Sequence, residues 1–216
     1  DATQVQVSVD GTFDAEPWEP YATTKTVNVP GGDGLKQIQA RFRDAAQNTT
    51  AAASTSVTLD TDTPEGTVAI AGGAAYTRNS LVTVNLSALP ADTAQMQLGS
   101  DVLFTGAAWQ PISPSIAWDL GSGDGTKTVY VRFRDLAGNV GDTRSDSIIL
   151  DTIPPEALYA YAPSYYVTGS TVQVYIEASG ATQMRLDVID VDGTKTTGSW
   201  QAFDAEPTVT LPTVLQ

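Results

Sequence analysis

The side chains of this chain that could do chemistry nearly all carry oxygen. Its 216 residues hold 25 Asp and Glu, 11 Lys and Arg, no His and no Cys. Without a thiol or an imidazole there is no cysteine nucleophile, no Ser-His-Asp relay, no zinc finger and no iron–sulfur cluster. Carboxylate pairs remain. Asp14-Ala15-Glu16-Pro17 and Asp204-Ala205-Glu206-Pro207 each place two acids close together, and paired acids are the residue type that hydrolyses glycosides. Both segments connect strands in a small sandwich with no deep cleft expected, so the recurrence reads as a loop motif. No catalytic residue and no enzymatic activity are predicted. Aromatic rings form the other candidate group: Trp18, Trp109 and Trp200, with Tyr21, Tyr165 and Tyr166, could stack on sugars. A single Trp at a fixed place in each repeat fits a structural role better, in the core or at a sheet edge.

Composition sets further bounds. The net charge is −14, which repels phosphate backbones and makes nucleic acid an unexpected partner. Hydrophobic residues make up 41%, enough for packed cores. No apolar run approaches the ~20 residues of a membrane span. The opening Asp1-Ala2-Thr3-Gln4 lacks the basic-then-apolar order of a signal peptide. The expectation is a chain from which a leader was removed, or an excised part of something longer.

The landmarks repeat at one spacing. Phe42 in Arg41-Phe42-Arg43-Asp44 returns as Phe133 in Arg132-Phe133-Arg134-Asp135, an offset of 133 − 42 = 91. Asp33-Gly34 and Asp124-Gly125, Asn48 and Asn139, Leu59-Asp60-Thr61 and Leu150-Asp151-Thr152, and the three Trp keep the same interval. A looser third copy runs through Ser170-Thr171-Val172-Gln173-Val174 and Gln183-Met184. Three segments follow: 1–64 as the late strands of a first repeat, 65–154 as a whole repeat, and 155–216 as the early strands of a third.

Within a repeat the periodicity is that of strands. Val129, Val131 and Phe133 alternate with Tyr130, Arg132 and Arg134, and Ile38, Ala40 and Phe42 take the same phase one repeat earlier. Leu81–Leu86, Thr171–Ile176 and Ser147–Leu150 are also rich in strand formers. Asp10-Gly11, Asp33-Gly34, Asp124-Gly125 and Asp192-Gly193 are suited to tight turns. The predicted class is all-β: tandem immunoglobulin-like sandwiches of about 91 residues with incomplete terminal repeats. The linkers Thr61-Asp62-Thr63-Pro64 and Thr152-Ile153-Pro154-Pro155 are short and held by proline, so semi-rigid.

Asp135-Leu136-Ala137-Gly138-Asn139, followed by Leu150-Asp151-Thr152-Ile153-Pro154-Pro155, resembles the signature of bacterial Ig-like repeats from large secreted and cell-surface proteins, including giant adhesins and S-layer-associated proteins. The first copy, Asp44-Ala45-Ala46-Gln47-Asn48, departs from it at Gln47, where the family has Gly, so a different turn is expected there. The resemblance implies an extracellular or cell-surface location and a spacer, stalk or adhesive array. Some such repeats bind calcium near their linkers. Asp44, Asp60, Asp135 and Asp151, with Asn48 and Asn139, are the oxygen donors that recur at the matching places here, and Ca²⁺ takes six to eight oxygens. The competing reading has Asp44 and Asp135 accepting backbone N–H groups in a turn, and Asp60 and Asp151 simply solvating a linker. Asp190-Val191-Asp192-Gly193 is only part of an EF-hand pattern and reads as a hairpin turn.

Both outer segments are read as partial repeats. They fit a fragment of a longer protein, subunits completed head to tail by strand complementation, or degenerate caps. The expected function is a structural spacer or stalk, or a surface-filament subunit, with neighbouring repeats or identical subunits as partners. The alternative is an adhesin or carbohydrate-binding module attached to a larger secreted protein, with host or surface glycans as partners.

Overall fold

Val129, Val131 and Phe133 are each 0% exposed on one face of a long strand, while Arg132 and Arg134 occupy the other face. This is the period-two pattern realised, and it sets how every layer stacks. A computed structural model describes residues 1–162, 169–189 and 192–210. Its regular elements are strands, with no helix among the described residues. The chain forms two units, Asp1–Asp151 and Thr152–Gln216.

The first unit begins with a four-stranded antiparallel sheet. It comprises β1 (Gln4–Ser8), β2 (Glu19–Pro20), β3 (Gly34–Arg43) and β4 (Ala53–Leu59), in the order β2-β1-β3-β4. A β-sandwich follows. Its three-stranded layer has the order β10-β7-β5, from β5 (Thr67–Ile70), β7 (Leu81–Ser87) and β10 (Ser115–Asp119). The five-stranded layer has the order β6-β12-β11-β8-β9, from β6 (Tyr76–Thr77), β8 (Thr93–Gly99), β9 (Gln110–Pro111), β11 (Gly125–Asp135) and β12 (Arg144–Leu150). Val84 and Ile70 from one layer meet Met96, Val131 and Phe133 from the other, all at most 2% exposed. One edge is closed by a side chain: Asp146 on β12 accepts a 2.7 Å hydrogen bond from the Ile70 N–H of β5.

The order β9-β8-β11-β12 within the larger layer repeats β2-β1-β3-β4, with matching register. Val5 faces Phe42 and Met96 faces Phe133. The apolar faces differ in cover. Ile148 on β12 is 2% exposed, whereas Val57, its counterpart on β4, is 46% exposed. Ile38, Ala40 and Phe42 are only half-buried. A single sheet buries one side of such residues, and a second layer is needed to remove the rest from water.

The second unit contains β13 (Glu156–Tyr161), β14 (Thr171–Gln173), β15 (Tyr175–Ser179), β16 (Gln183–Met184), β17 (Asp187–Ile189), β18 (Lys195–Thr197), β19 (Gln201–Ala202) and β20 (Thr208–Thr210). They form four antiparallel pairs: β13-β15, β14-β20, β16-β19 and β17-β18. The Met184↔Gln201 pairing repeats Met96↔Gln110.

The Asp-Gly pairs do not all make tight hairpins. Residues 9–18 separate β1 from β2, and Gly34 and Gly125 open the long strands β3 and β11. What recurs is an aspartate cap on the turn after the strand. Asp10 accepts from Thr12 N at 3.0 Å, Asp101 from Leu103 N at 2.9 Å, and Asp192 from Thr194 N at 3.0 Å. Asp101 has no glycine after it, so the carboxylate is the shared element. Asp190 and Val191 lie outside the described residues, as do Tyr165 and Tyr166.

Candidate functional site

The Asp-x-x-x-Asn motif builds a corner after each long strand. At the end of β11, Asp135 Oδ1 accepts from Gly138 N (2.7 Å) and Asn139 N (2.9 Å), and Oδ2 accepts from Asn139 Nδ2 (3.0 Å). After β3, Asp44 Oδ1 accepts from Asn48 N (2.9 Å) and Oδ2 from Asn48 Nδ2 (2.8 Å). These are the turn-capping bonds that the competing, non-metal reading of Asp44 and Asp135 anticipates. Gln47 does not abolish the corner. It adopts φ 71° where Gly138 has φ 99°, and holding a residue with a Cβ in that region costs about 1 kcal/mol.

At the second corner the asparagine does more. Asn139 Nδ2 also donates to the backbone oxygen of Asp60 (3.0 Å), which ties the corner to the incoming linker. Beside it Gly141 lies under Pro64: a Cβ at that position would sit 1.9 Å from the Pro64 carbonyl oxygen. Only glycine lets the linker approach so closely.

These contacts bring Asp60 and Asp135 to one cleft of about 400 Å³, lined also by Asp62, Pro64, Glu65 and Asp92. Burial and then the charges of Asp135, Asp92 and Asp33 hold the Asp60 carboxyl above its ordinary pKa, against a backbone hydrogen bond from Asp62. For Asp135, itself 5% exposed, burial opposes ionisation. The hydrogen bonds from Asn139 and Gly138 outweigh it and bring the pKa below the usual value. Asp44 is also lowered, first by its Asn48 side-chain hydrogen bond. Asp33 is lowered by the backbone and hydroxyl of Thr61.

The structure does not gather all four predicted aspartates. Asp44 lies in a separate cleft with Asp1 and Asn48. Asp151 follows the last residue of β12, and its N–H donates to Thr77 O at 2.9 Å. Asp92 is the residue that the sequence reading missed. Its signal was present, since Asp1 and Asp92 share the offset 92 − 1 = 91. The pair Asp92 and Asp135 thus recurs as Asp1 and Asp44.

The Asp60 cleft is strongly acidic. Asp60, Asp62, Glu65, Asp92 and Asp135 supply hard oxygen atoms there, the lining residues include no Lys or Arg, and burial first, with neighbouring carboxylates after it, holds the Asp60 carboxyl above its ordinary pKa. Among the described residues, it is not the acids of the Asp60 cleft but Asp10, Asp14 and Glu16 whose ligand oxygens lie within 4.8 Å of one another. Asp10 there is engaged by Ser8 Oγ at 2.9 Å and by Thr12. The Asp-Ala-Glu-Pro segments are not equivalent places. Asp14 and Glu16 precede Trp18 and β2, whereas Asp204 and Glu206 follow Trp200 and β19.

The repeated Trp is not a core residue. Trp109 is half-buried on the face opposite the core. Arg134 lies 4.7 Å from its ring centre, and Arg132 lies 4.7 Å from Phe104 and 5.4 Å from Trp109. Gln97 Oε1 accepts from Arg132 Nε at 2.8 Å, and Gln95 accepts from Arg134 Nε and Nη2. The first sheet repeats the arrangement, with Arg41 against Phe13 (4.4 Å) and Arg43 against Trp18 (4.4 Å), held by Gln6 and Gln4. Cations on ring faces explain why Arg-x-Arg accompanies Trp18 and Trp109 in the first two repeats. These contacts occupy ring surface that a sugar would need. Trp200 differs: it is 65% exposed, with Arg185 5.6 Å from its ring centre. Tyr21 packs edge-on against Phe42 at 6.0 Å. The Trp that packs against the sandwich core is Trp118 on β10.

No family model and no curated protein matches the chain. Among solved structures, the chain is similar to a tetra-tandem repeat in the extending region of a large adhesion protein, at 16% identity and a TM-score of 0.36. That match covers 98% of this chain, and the chain spans 59% of the other.

Proposed function

We propose that the chain is part of an extracellular array of Ig-like repeats, each of about 91 residues, that holds surface-protein elements apart as a spacer, stalk or filament subunit. The observation that carries this reading is the junction. Asn139 donates to the Asp60 carbonyl and Pro64 seats on Gly141, so a repeated corner brackets a short linker instead of leaving it loose. The two-layer strand order of residues 67–150 agrees with an Ig-type sandwich, as do the Asp-Leu-Ala-Gly-Asn and Leu-Asp-Thr motifs. Small-angle X-ray scattering of tandem copies of residues 65–154 tests the reading. A maximum dimension that grows linearly with copy number supports it, and a globular scaling law overturns it.

Calcium belongs to the same proposal. Asp60, Asp92 and Asp135 would hold it, bracing the linker and relieving repulsion, while Asp44 and Asp151 occupy the corresponding places at adjoining junctions. Stabilisation follows from selective binding to the folded chain. Melting in millimolar Ca²⁺ should shift upward, return with chelator, and lose the shift in Asp92→Asn. No shift in the unaltered chain removes calcium from the reading.

The half-exposed Ile38, Ala40, Phe42 and Val57 face supports pairing with the three-stranded layer of a neighbouring repeat or identical subunit. Sedimentation velocity over a concentration series tests the second option: a concentration-independent monomer excludes assembly through identical subunits. The alternative, a glycan-binding adhesin module, draws on the exposed Trp200. Glycan binding that is absent, or unchanged in Trp200→Ala, removes it.

A further inference from the structure

The chain enters the sandwich of residues 67–150 through β5 and leaves it through β12. Between β5 and β7 it makes a detour, β6, that lies beside the exit strand. The two run parallel, with Ile149 opposite Tyr76 and Leu150 opposite Thr77. Every other strand pairing among the described residues is antiparallel. Ile149 N donates to Ala75 O at 3.0 Å, and Asp151 N donates to Thr77 O at 2.9 Å.

The direction of the pair decides how it meets tension. Pulling the chain at both sides of this sandwich draws β6 toward its own N-terminus and β12 toward its own C-terminus. Because the strands are parallel, these pulls slide one along the other, and the hydrogen bonds between them bear load together. Strands pulled apart from one end instead lose their bonds one at a time. The entry strand does not bypass this arrangement. β5 is short (Thr67–Ile70) and is bonded to β7 and, through Ile70 N, to Asp146. The turn at Ala71-Gly72-Gly73 separates it from β6, with Ala71 N bonded to Thr83 O at 2.8 Å. Release of β5 therefore leaves β6 seated. The other side of the clamp is deeply anchored: β12 pairs along its whole length with β11 and buries Ile148 and Leu150 at 2% and 1% exposure.

We propose that the parallel β6–β12 pair is a force-bearing clamp that sets the mechanical strength of this repeat under tension along the chain. The proposal rests on the spacer reading, because only a spacer is loaded end to end, but it is tested separately.

Absence of Cys from the chain lets introduced cysteine pairs serve as handles for single-molecule force spectroscopy on the full chain. Thr63→Cys with Pro154→Cys loads the pair in sliding. Asn79→Cys with Pro154→Cys pulls both strands from their C-terminal ends and peels them. The expected result is a rupture force about twofold or more higher in the sliding geometry, since forced unfolding follows the unfolding barrier. Thr77→Pro, which removes an N–H from β6, should lower the sliding force toward the peeling force and leave the peeling force unchanged. Equal forces in the two geometries overturn the clamp while leaving the scattering test of the spacer untouched. A folded Thr77→Pro chain that keeps its high sliding force overturns it as well. Should that variant fail to fold, the comparison of geometries in the unaltered strands decides alone.

Discussion

Asn139→Ala should cost clearly more stability than Asn48→Ala, although the two asparagines occupy the same place in their corners. Each substitution removes one side-chain hydrogen bond to a capping carboxylate: Asn48 to Asp44 at 2.8 Å, Asn139 to Asp135 at 3.0 Å. Asn139 alone also donates to the Asp60 carbonyl of the linker, at 3.0 Å. A hydrogen bond to a charged group contributes roughly 1.5–3 kcal/mol and a neutral one roughly 0.5–1.5 kcal/mol. Asp44 is solvated, so water replaces much of what Asn48 supplied, and its loss should come to about 1 kcal/mol. Asp135 is 5% exposed. Loss of its donor together with the linker bond should therefore total about 2–4 kcal/mol. For a chain of this length that is a melting-temperature fall of roughly 5–15 °C against a few degrees for Asn48→Ala. Urea unfolding followed by Trp fluorescence measures the difference directly, provided the slope against denaturant stays constant. Equal costs for the two variants would refute the claim that Asn139 pins the linker. A difference confined to the slope would relocate the effect to the unfolded chain.

Gly141→Ala should destabilise the same junction by about 1–3 kcal/mol, because the new methyl meets backbone and not a movable side chain; a melting temperature within a degree of the parent would contradict the close approach to Pro64. Phe133→Ala should cost about 3–5 kcal/mol, and the half-buried Phe42→Ala markedly less; chemical denaturation ranks them, and the reverse order would show that the first sheet is better covered than its exposures indicate. The pH response has two signs. Asp44 and Asp135 have lowered pKa values, so the stability they contribute is present above the unfolded value of about 3.9 and is lost as pH falls through their folded values. The raised Asp60 works oppositely: its contribution holds at low pH and is lost as pH rises through its folded value. Asp60→Asn should therefore raise the melting temperature near pH 7 in chelator, and the gain should vanish on acidification below about pH 4. A gain that is constant with pH would exclude the electrostatic cause.

Much of the architecture can be read from local order. The alternation in Val129-Tyr130-Val131-Arg132-Phe133-Arg134 specifies a strand with one apolar face, because side chains two apart share a side whatever surrounds them. The constant offset from Phe42 to Phe133, and from Asn48 to Asn139, identifies equivalent positions without reference to shape. The turn-capping role of Asp44 and Asp135 was legible too, since it involves partners three or four residues away. Alternation cannot say what stands over the second face. Trp109 belongs to a layer of arginines and glutamines on the outer side of its sheet, and Trp118 takes the place beside the core. That assignment depends on which strand lies next to which.

The candidate site follows the same division. Residue types and their recurrence determined that acids and asparagines stand at the ends of repeats, and that the linkers between them are short. Tertiary structure alone decided that Asp60, Asp92 and Asp135 share one cleft while Asp44 and Asp151 stand apart from it, and that β6 runs parallel to β12. Sequence constrains the chain over a few residues at a time. Contacts between positions 75 to 79 apart, such as Asn139 with Asp60 and Asp135 with Asp60, come into being only when separate layers close on one another and the linker is drawn in between.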